Sequence, residues 1–200
     1  MTRTSERWKC RPGNFDSLNS HILFPTKNPL GIPELQEQDF DIDGVNLIPF
    51  GRKNAIGTKK TSICHFFLDD YRFETTWTRP YKTLQGLRHF QAVMTPDFSL
   101  WRDHPLLLQQ WNTYRNRWVG RLWQEQGLKV IFTVSWSTED SYSFCFSGIP
   151  GNSIIAIATP RLSEAVTKKS ASLRVSLNYS ADLHPGSLYA TAGPTTPGTT

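Results

Sequence analysis

The chain has 200 residues, 38% hydrophobic and 12% aromatic, with 22 Lys and Arg against 17 Asp and Glu for a formal charge of +5. That length gives one ordinary domain with tails, and the mild basic excess permits an anionic partner without requiring one. It falls short of the clustered charge of a dedicated nucleic-acid-binding domain. Three cysteines (Cys10, Cys64, Cys145) without paired spacing argue against a disulfide framework or a structural zinc site, and fit a reducing cytoplasm. No apolar run approaches about 18 residues, so no transmembrane helix and no membrane partner are expected. The N-terminal MTRTSERWKCRPG has no apolar signal core.

Residues 1–44 are broken by Pro12, Pro25, Pro29 and Pro33 and read as an irregular arm whose apolar patches, including Ile22-Leu23-Phe24 and Ile32, lie on a core. An α/β core domain is expected over 45–160. Val45–Phe50 reads as a first strand, followed by a basic loop through Lys53-Asn54 and Lys59-Lys60. Ile63–Leu68 is a second strand, ending in Asp69-Asp70. A helix is expected from Tyr71 to Trp77 with Asp70 as its cap, and another from Pro80 to Leu87. Phe90–Met94 is a third strand.

The stretch from Thr95 to Trp136 organises the rest. Pro105 suits the first turn of a helix, with Asp103 and His104 as candidate caps. Leu107, Trp111, Tyr114, Trp118 and Leu122 follow at helical spacing and predict one apolar face. Gly127 supplies the stop. Val130–Val134 is apolar without alternation, as in a strand covered on both faces. In Ser137–Pro150 an alternating strand pattern competes with a capped short helix. The helix is preferred, because Ile154–Ala158 then follows as a parallel strand after a crossover. The fold class expected is α/β, with about five mainly parallel strands and crossover helices, as an incomplete (β/α) barrel or an open sheet. From Arg161 to Thr200, 23 of 40 residues are Ser, Thr, Ala, Gly or Pro, which predicts a low-complexity, disordered tail.

The segments HFFLDDYRFETTW (65–77), TPDFSLWRDHPLLLQQWNTYRNRWVG (95–120), KVIFTVSWS (129–137) and FCFSGIPGNSIIAIAT (144–159) resemble the family catalogued as domain of unknown function 4417. The resemblance implies a protein of bacteria, phages and other mobile elements, and supplies no reaction or catalytic residues. After Thr159 the family pattern implies a further helix and strand. The tail departs from it, which suggests a truncated or frame-shifted product whose last strand keeps an open edge.

Polar residues gather just after the predicted strands, where parallel sheets and barrels place their sites. Asp69, Asp70 and Asp97 are the candidate catalytic groups, because neighbouring carboxylates can hold Mg²⁺ or divide acid and base roles. The structural alternatives are a helix cap for Asp70 and an Asx-type turn for Asp97. Lys53, Asn54, Ser99, Arg102, His104, Trp136 and Ser137 are the candidate ligand-binding residues, and no protein metal-ligand spacing is present. Arg115, Arg117 and Arg121, with Asn112 and Asn116, either grip an anion or form a solvated helix face. A helix running away from the strand ends would favour Arg102, Asp103 and His104 over the later arginines as residues of the site edge. Trp111, Tyr114 and Trp118 are expected in the core; Trp101 and Trp136 can stack on a base. His65 is read as a satisfied core histidine, and Cys64 and Cys145 as small buried hydrophobes. Two functions follow. One is an enzyme-like domain binding a phosphorylated or nucleotide-like ligand at the strand carboxyl ends; the other is a non-catalytic accessory protein that binds nucleic acid or a host protein.

Overall fold

A computed structural model describes residues 17–38, 46–52, 59–151, 153–157 and 174–176. Five strands lie side by side in chain order and pair in parallel throughout: β1 (Asn46–Pro49), β2 (Ser62–His65), β3 (Ala92–Met94), β4 (Val130–Val134) and β5 (Ile155–Ile157). When successive parallel strands always step the same way, right-handed crossovers put their helices on one face. The result is an open half-barrel, the barrel-like form of the expected α/β class, and not a doubly wound sheet with a switch point. Every residue of β2, β3 and β4 is buried, which for β4 is what its run without alternation predicts. Pro49 is tolerated because β1 is an edge strand.

Within the segment read as a tail, only Arg174–Ser176 belongs to the described residues. It forms β6, paired antiparallel with β5, and so occupies the edge that a truncated chain was expected to leave open. The rest of that segment, the 44/45 domain boundary and Cys10 lie outside the described residues.

Short helices connect the strands. The expected helix at 71–77 divides into a 3₁₀ turn, Asp70–Arg72, and a single α turn, α1 (Thr75–Thr78). α2 (Pro80–Leu87) begins at its proline as predicted. A 3₁₀ turn (Glu139–Ser141) and α4 (Tyr142–Cys145) fill the ambiguous stretch, favouring the helical reading.

The longest element, α3 (Leu106–Glu125), has 20 residues, against five in β4. At 1.5 Å per residue the helix runs about 30 Å, roughly twice the length of the strand. An 11-residue loop (95–105) carries the chain beyond the strand ends before the helix starts, so its first half overhangs the sheet. Its second half packs: Trp118, Val119, Leu122 and Trp123 are fully buried. Gly120 marks the closest approach, since a Cβ there would lie 2.6 Å from Thr95 Cγ2. The predicted apolar face therefore holds only in part. Trp111 and Tyr114 are half-buried, stacked on each other at 5.5 Å and edge-on to Trp77, and Leu107 is exposed. The expected caps are also corrected. Pro105 itself takes the N-cap position with ψ of 141°, while Asp103 and His104 are exposed. Gly127 (φ +81°) follows the C-terminus as predicted.

The arm lies along α3. Phe24, Ile32 and Leu35 are buried. Trp118 Nε1 donates to Ile22 O at 3.1 Å and Trp77 Nε1 to Ser17 O at 3.0 Å. Gln38 Nε2 donates to Leu128 O, and its Oε1 accepts from Val130 N–H, closing the amino end of β4. Leu35 N–H donates to Gly148 O at 2.7 Å. Gly148 has φ +78°, and a Cβ would meet Pro33 O at 2.2 Å, so both backbone conformation and space demand glycine. Gly148→Ala is expected to destabilise the protein by about 2–4 kcal/mol and to expose the arm to protease. Gly51→Ala, with nothing within 4 Å and no left-handed φ, should change the melting temperature little.

Candidate functional site at the strand carboxyl ends

Beyond the last ladder bonds, β3 and β4 are held by threonines. Thr133 N–H donates to Thr95 Oγ1 at 2.8 Å, and Thr133 Oγ1 to Thr95 O at 2.9 Å. The middle of α3 meets these strand ends, because the helix overhangs by about half its length. Its inward face here is polar: Gln109, Thr113, Asn116 and Arg117 are all buried. Asn116 Nδ2 donates to Pro96 O at 2.8 Å. Arg117 is 1% exposed, and its guanidinium donates to Thr133 O, Cys145 O, Ser147 O and Asn116 Oδ1. The expectation that the later arginines lie off the site edge is thus overturned for Arg117, since it neglected the long loop before the helix.

Two carboxylates stand at this rim. Ser135 Oγ donates to Asp97 Oδ1. Asp97 keeps some exposure as a residue, yet its carboxyl is enclosed. Burial first, and then the Asp70 charge, push its pKa up to about 6, against the opposing Ser135 hydrogen bond and the Arg117 charge. Asp70 accepts Ser99 N–H at 3.1 Å and Ser99 Oγ–H at 2.7 Å, tying the loop after β2 to the loop after β3. It therefore caps no helix. Asn112 Nδ2 donates to Ser99 O at 2.7 Å. Arg115 donates to Asn112 Oδ1 at 2.6 Å and to Glu74 at 2.8 and 3.0 Å, with its guanidinium carbon 3.9 Å from the Phe98 ring centre. Between these groups lies a cavity of about 10 Å³, walled by Phe98, Asn112, Asn116, Arg117, Thr133 and Ser135 among others. That is room for roughly one water among several polar partners.

Other expected site residues fall elsewhere. Asp69 is exposed and pairs with Arg72 at 3.2 Å, away from the enclosed pair. Among the described residues no group of three or more His, Cys, Asp or Glu can hold a metal ion. Lys53 and Asn54 lie outside the described residues. Arg102 and His104 are exposed on the loop before α3. Ser137 Oγ donates to Gln109 Oε1, which fastens α3 to the loop after β4. Trp136 is half-buried beside Tyr142 and Phe146. The three helix arginines neither face solvent nor stand free for a ligand, because Arg121 pairs with Glu125 at 2.6 Å and donates to Glu34 O. His65 is buried and burial lowers its pKa, but its Nδ1 has no hydrogen-bond partner among the described residues, so the expected satisfied core histidine is corrected at that atom. Cys64 and Cys145 are buried as expected, and burial pushes the Cys145 thiol up to about 12.

Ser135, Thr95 and Gln109 were not foreseen. The signal was present in α3, where Gln109, Thr113, Asn116, Arg117, Gly120 and Gln124 form a helical stripe of polar and small residues. A wider groove of about 500 Å³ opens at the opposite, amino-terminal end of β3 and β4, lined by Arg88, Gln91, Gly127 and Lys129 among others. The ends of α2 and α3 face it, and cations there offset the helix dipoles.

A family model described as "Domain of unknown function (DUF4417)" matches residues 24–181. The "Gene 1 protein" of Mycobacterium phage L5 is 42% identical over 158 residues, covering 79% of this chain and 69% of that protein. The "Gene 1 protein" of Mycobacterium phage D29 is 41% identical over 158 residues, covering 79% of this chain and 58% of that protein. No solved structure matches. Among the described residues no helix is long and apolar enough to cross a membrane.

The raised Asp97 pKa has a definite sign. The folded state holds a proton that the unfolded chain has already released, so stability falls as pH rises from about 4 through about 6. Asp97→Asn removes this slope. It should be more stable than wild type at pH 8, by up to about 3 kcal/mol, and should lose the advantage at pH 4. Thermal melts of both proteins across that range give the comparison. Parallel curves would show that the carboxyl is solvated.

Proposed function

We propose, for a chain that belongs to the DUF4417 family, a proton-transfer site at the strand carboxyl ends acting on a phosphorylated or nucleotide-like ligand. The observation that carries this is the enclosed Asp97 carboxyl, poised near neutral pH beside Asp70 and one hydrogen bond from the cavity wall through Ser135. A general acid or base works best when its pKa lies near the working pH. The cavity admits only a water-sized group, so the body of the ligand would lie across the open rim. Half-buried Trp136 follows β4 at that rim, and Arg102 and His104 are exposed on the loop before α3. A divalent ion, if used, would enter with the phosphates of the ligand and meet the half-buried Asp70.

The alternative, a nucleic-acid- or host-protein-binding accessory role, drew its charge from the basic loop joined to the arginines of α3. Those arginines are turned inward, so among the described residues Arg52 and Lys60 are not continued by a positive face on α3.

A thermal-shift screen of nucleotides and sugar phosphates, with and without Mg²⁺, tests the site. Wild type and Asp69→Ala should shift together, and Asp97→Ala and Asp70→Asn should lose more than half of that shift. Equal shifts in all four proteins would remove the rim as the binding place. Salt-sensitive binding of DNA, lost in Arg52→Glu, would favour the accessory role.

A further inference from the structure

We propose that two copies of this chain associate through the overhanging end of α3. Leu106, Leu107 and Leu108 form its first turn and are 43%, 74% and 47% exposed. Successive helical residues point about 100° apart, so three in a row sweep about 200° of the helix surface. Among the described residues no packing accounts for an apolar turn open on both flanks. Trp101 adds to it, 59% exposed, with its ring 6.5 Å from that of His104 at the base of the helix. A contiguous patch of this kind marks an interaction surface.

Charge selects the occupant. Arg102 and Asp103 are both exposed beside the leucines, and neither has an ion-pair partner among the described residues. The patch thus carries one charge of each sign. A polyanion or an acidic bilayer would be met by positive charge alone. A two-fold contact instead presses one patch against its own copy and requires self-complementarity. Antiparallel crossing of two helix ends lets Arg102 of each copy meet Asp103 of the other while the leucines and Trp101 are covered.

The surface is also preorganised. Gln109 Nε2 donates to His104 O at 2.8 Å, and Gln109 Oε1 accepts from Ser137 Oγ, so the projecting turn is fastened at its root to the body. Association then costs little ordering of backbone. This contact is independent of any chemistry at Asp97.

Sedimentation velocity of the full chain over a concentration series should show a monomer–dimer equilibrium. Leu107→Glu should weaken it at least about tenfold, with an unchanged far-ultraviolet circular dichroism spectrum. Arg102→Glu and Asp103→Arg should each weaken it, and an equimolar mixture of the two should restore association, because each charge then faces its opposite. A wild-type chain that stays monomeric, a Leu107→Glu dimer as tight as wild type, or a mixture no better than its folded components would overturn the proposal. A monomer that sediments with anionic vesicles would assign the patch to a membrane surface instead.

Discussion

The buried guanidinium of Arg117 holds the carboxyl end of the sheet together. Removing a cation from water costs several kcal/mol, and the cost is met only when its donors are satisfied. Here they reach the carbonyls of Thr133 at the end of β4, Cys145 in α4 and Ser147 beyond it, together with Asn116 on the same helix. Those carbonyls belong to segments with no common backbone ladder at this level. Without the guanidinium, these carbonyls would lose a buried donor, and Thr133 O would keep only the longer bond from Asn116 Nδ2 among its side-chain donors. The same charge reaches Asp97 and restrains the rise in its pKa. Fold and candidate chemistry thus share one side chain.

The length of α3 explains why polar groups gather where they do. A helix about twice as long as its strands cannot be covered by the sheet along its whole course. The second half uses the sheet, the arm and Phe66 to bury Trp118 and Trp123. The first half extends past the last strand residues, and from there to the middle of the helix backbone carbonyls of loops and of the end of β4 call for donors; Asn112, Asn116 and Arg117 provide them. Further out none of the described residues covers the helix, and leucines emerge into solvent. Core, site and exposed turn are three consecutive zones of one helix.

Much of the architecture was legible because it rests on local rules. The unalternating run at β4, Pro80 opening α2 and Gly127 closing α3 each follow from side-chain chemistry within a few residues. The parallel order follows from crossovers too long for hairpins. The site was legible only in outline: Asp70, Asp97 and Ser99 do lie together at the strand ends. Asp69 does not belong with them, although it adjoins Asp70, because the turn at Asp70–Arg72 sends its side chain into solvent toward Arg72.

The sequence by itself determined the α/β class, the run of strands and helices and the end of the sheet where carboxylates collect, since periodicity and turn residues act over short distances. Only the tertiary structure decided that the arginines of α3 face inward, that Asp97 is enclosed with Ser135, and that Leu106–Leu108 stand uncovered. Those outcomes depend on the offset between a long helix and short strands. That offset is set by an 11-residue loop whose path no local preference specifies.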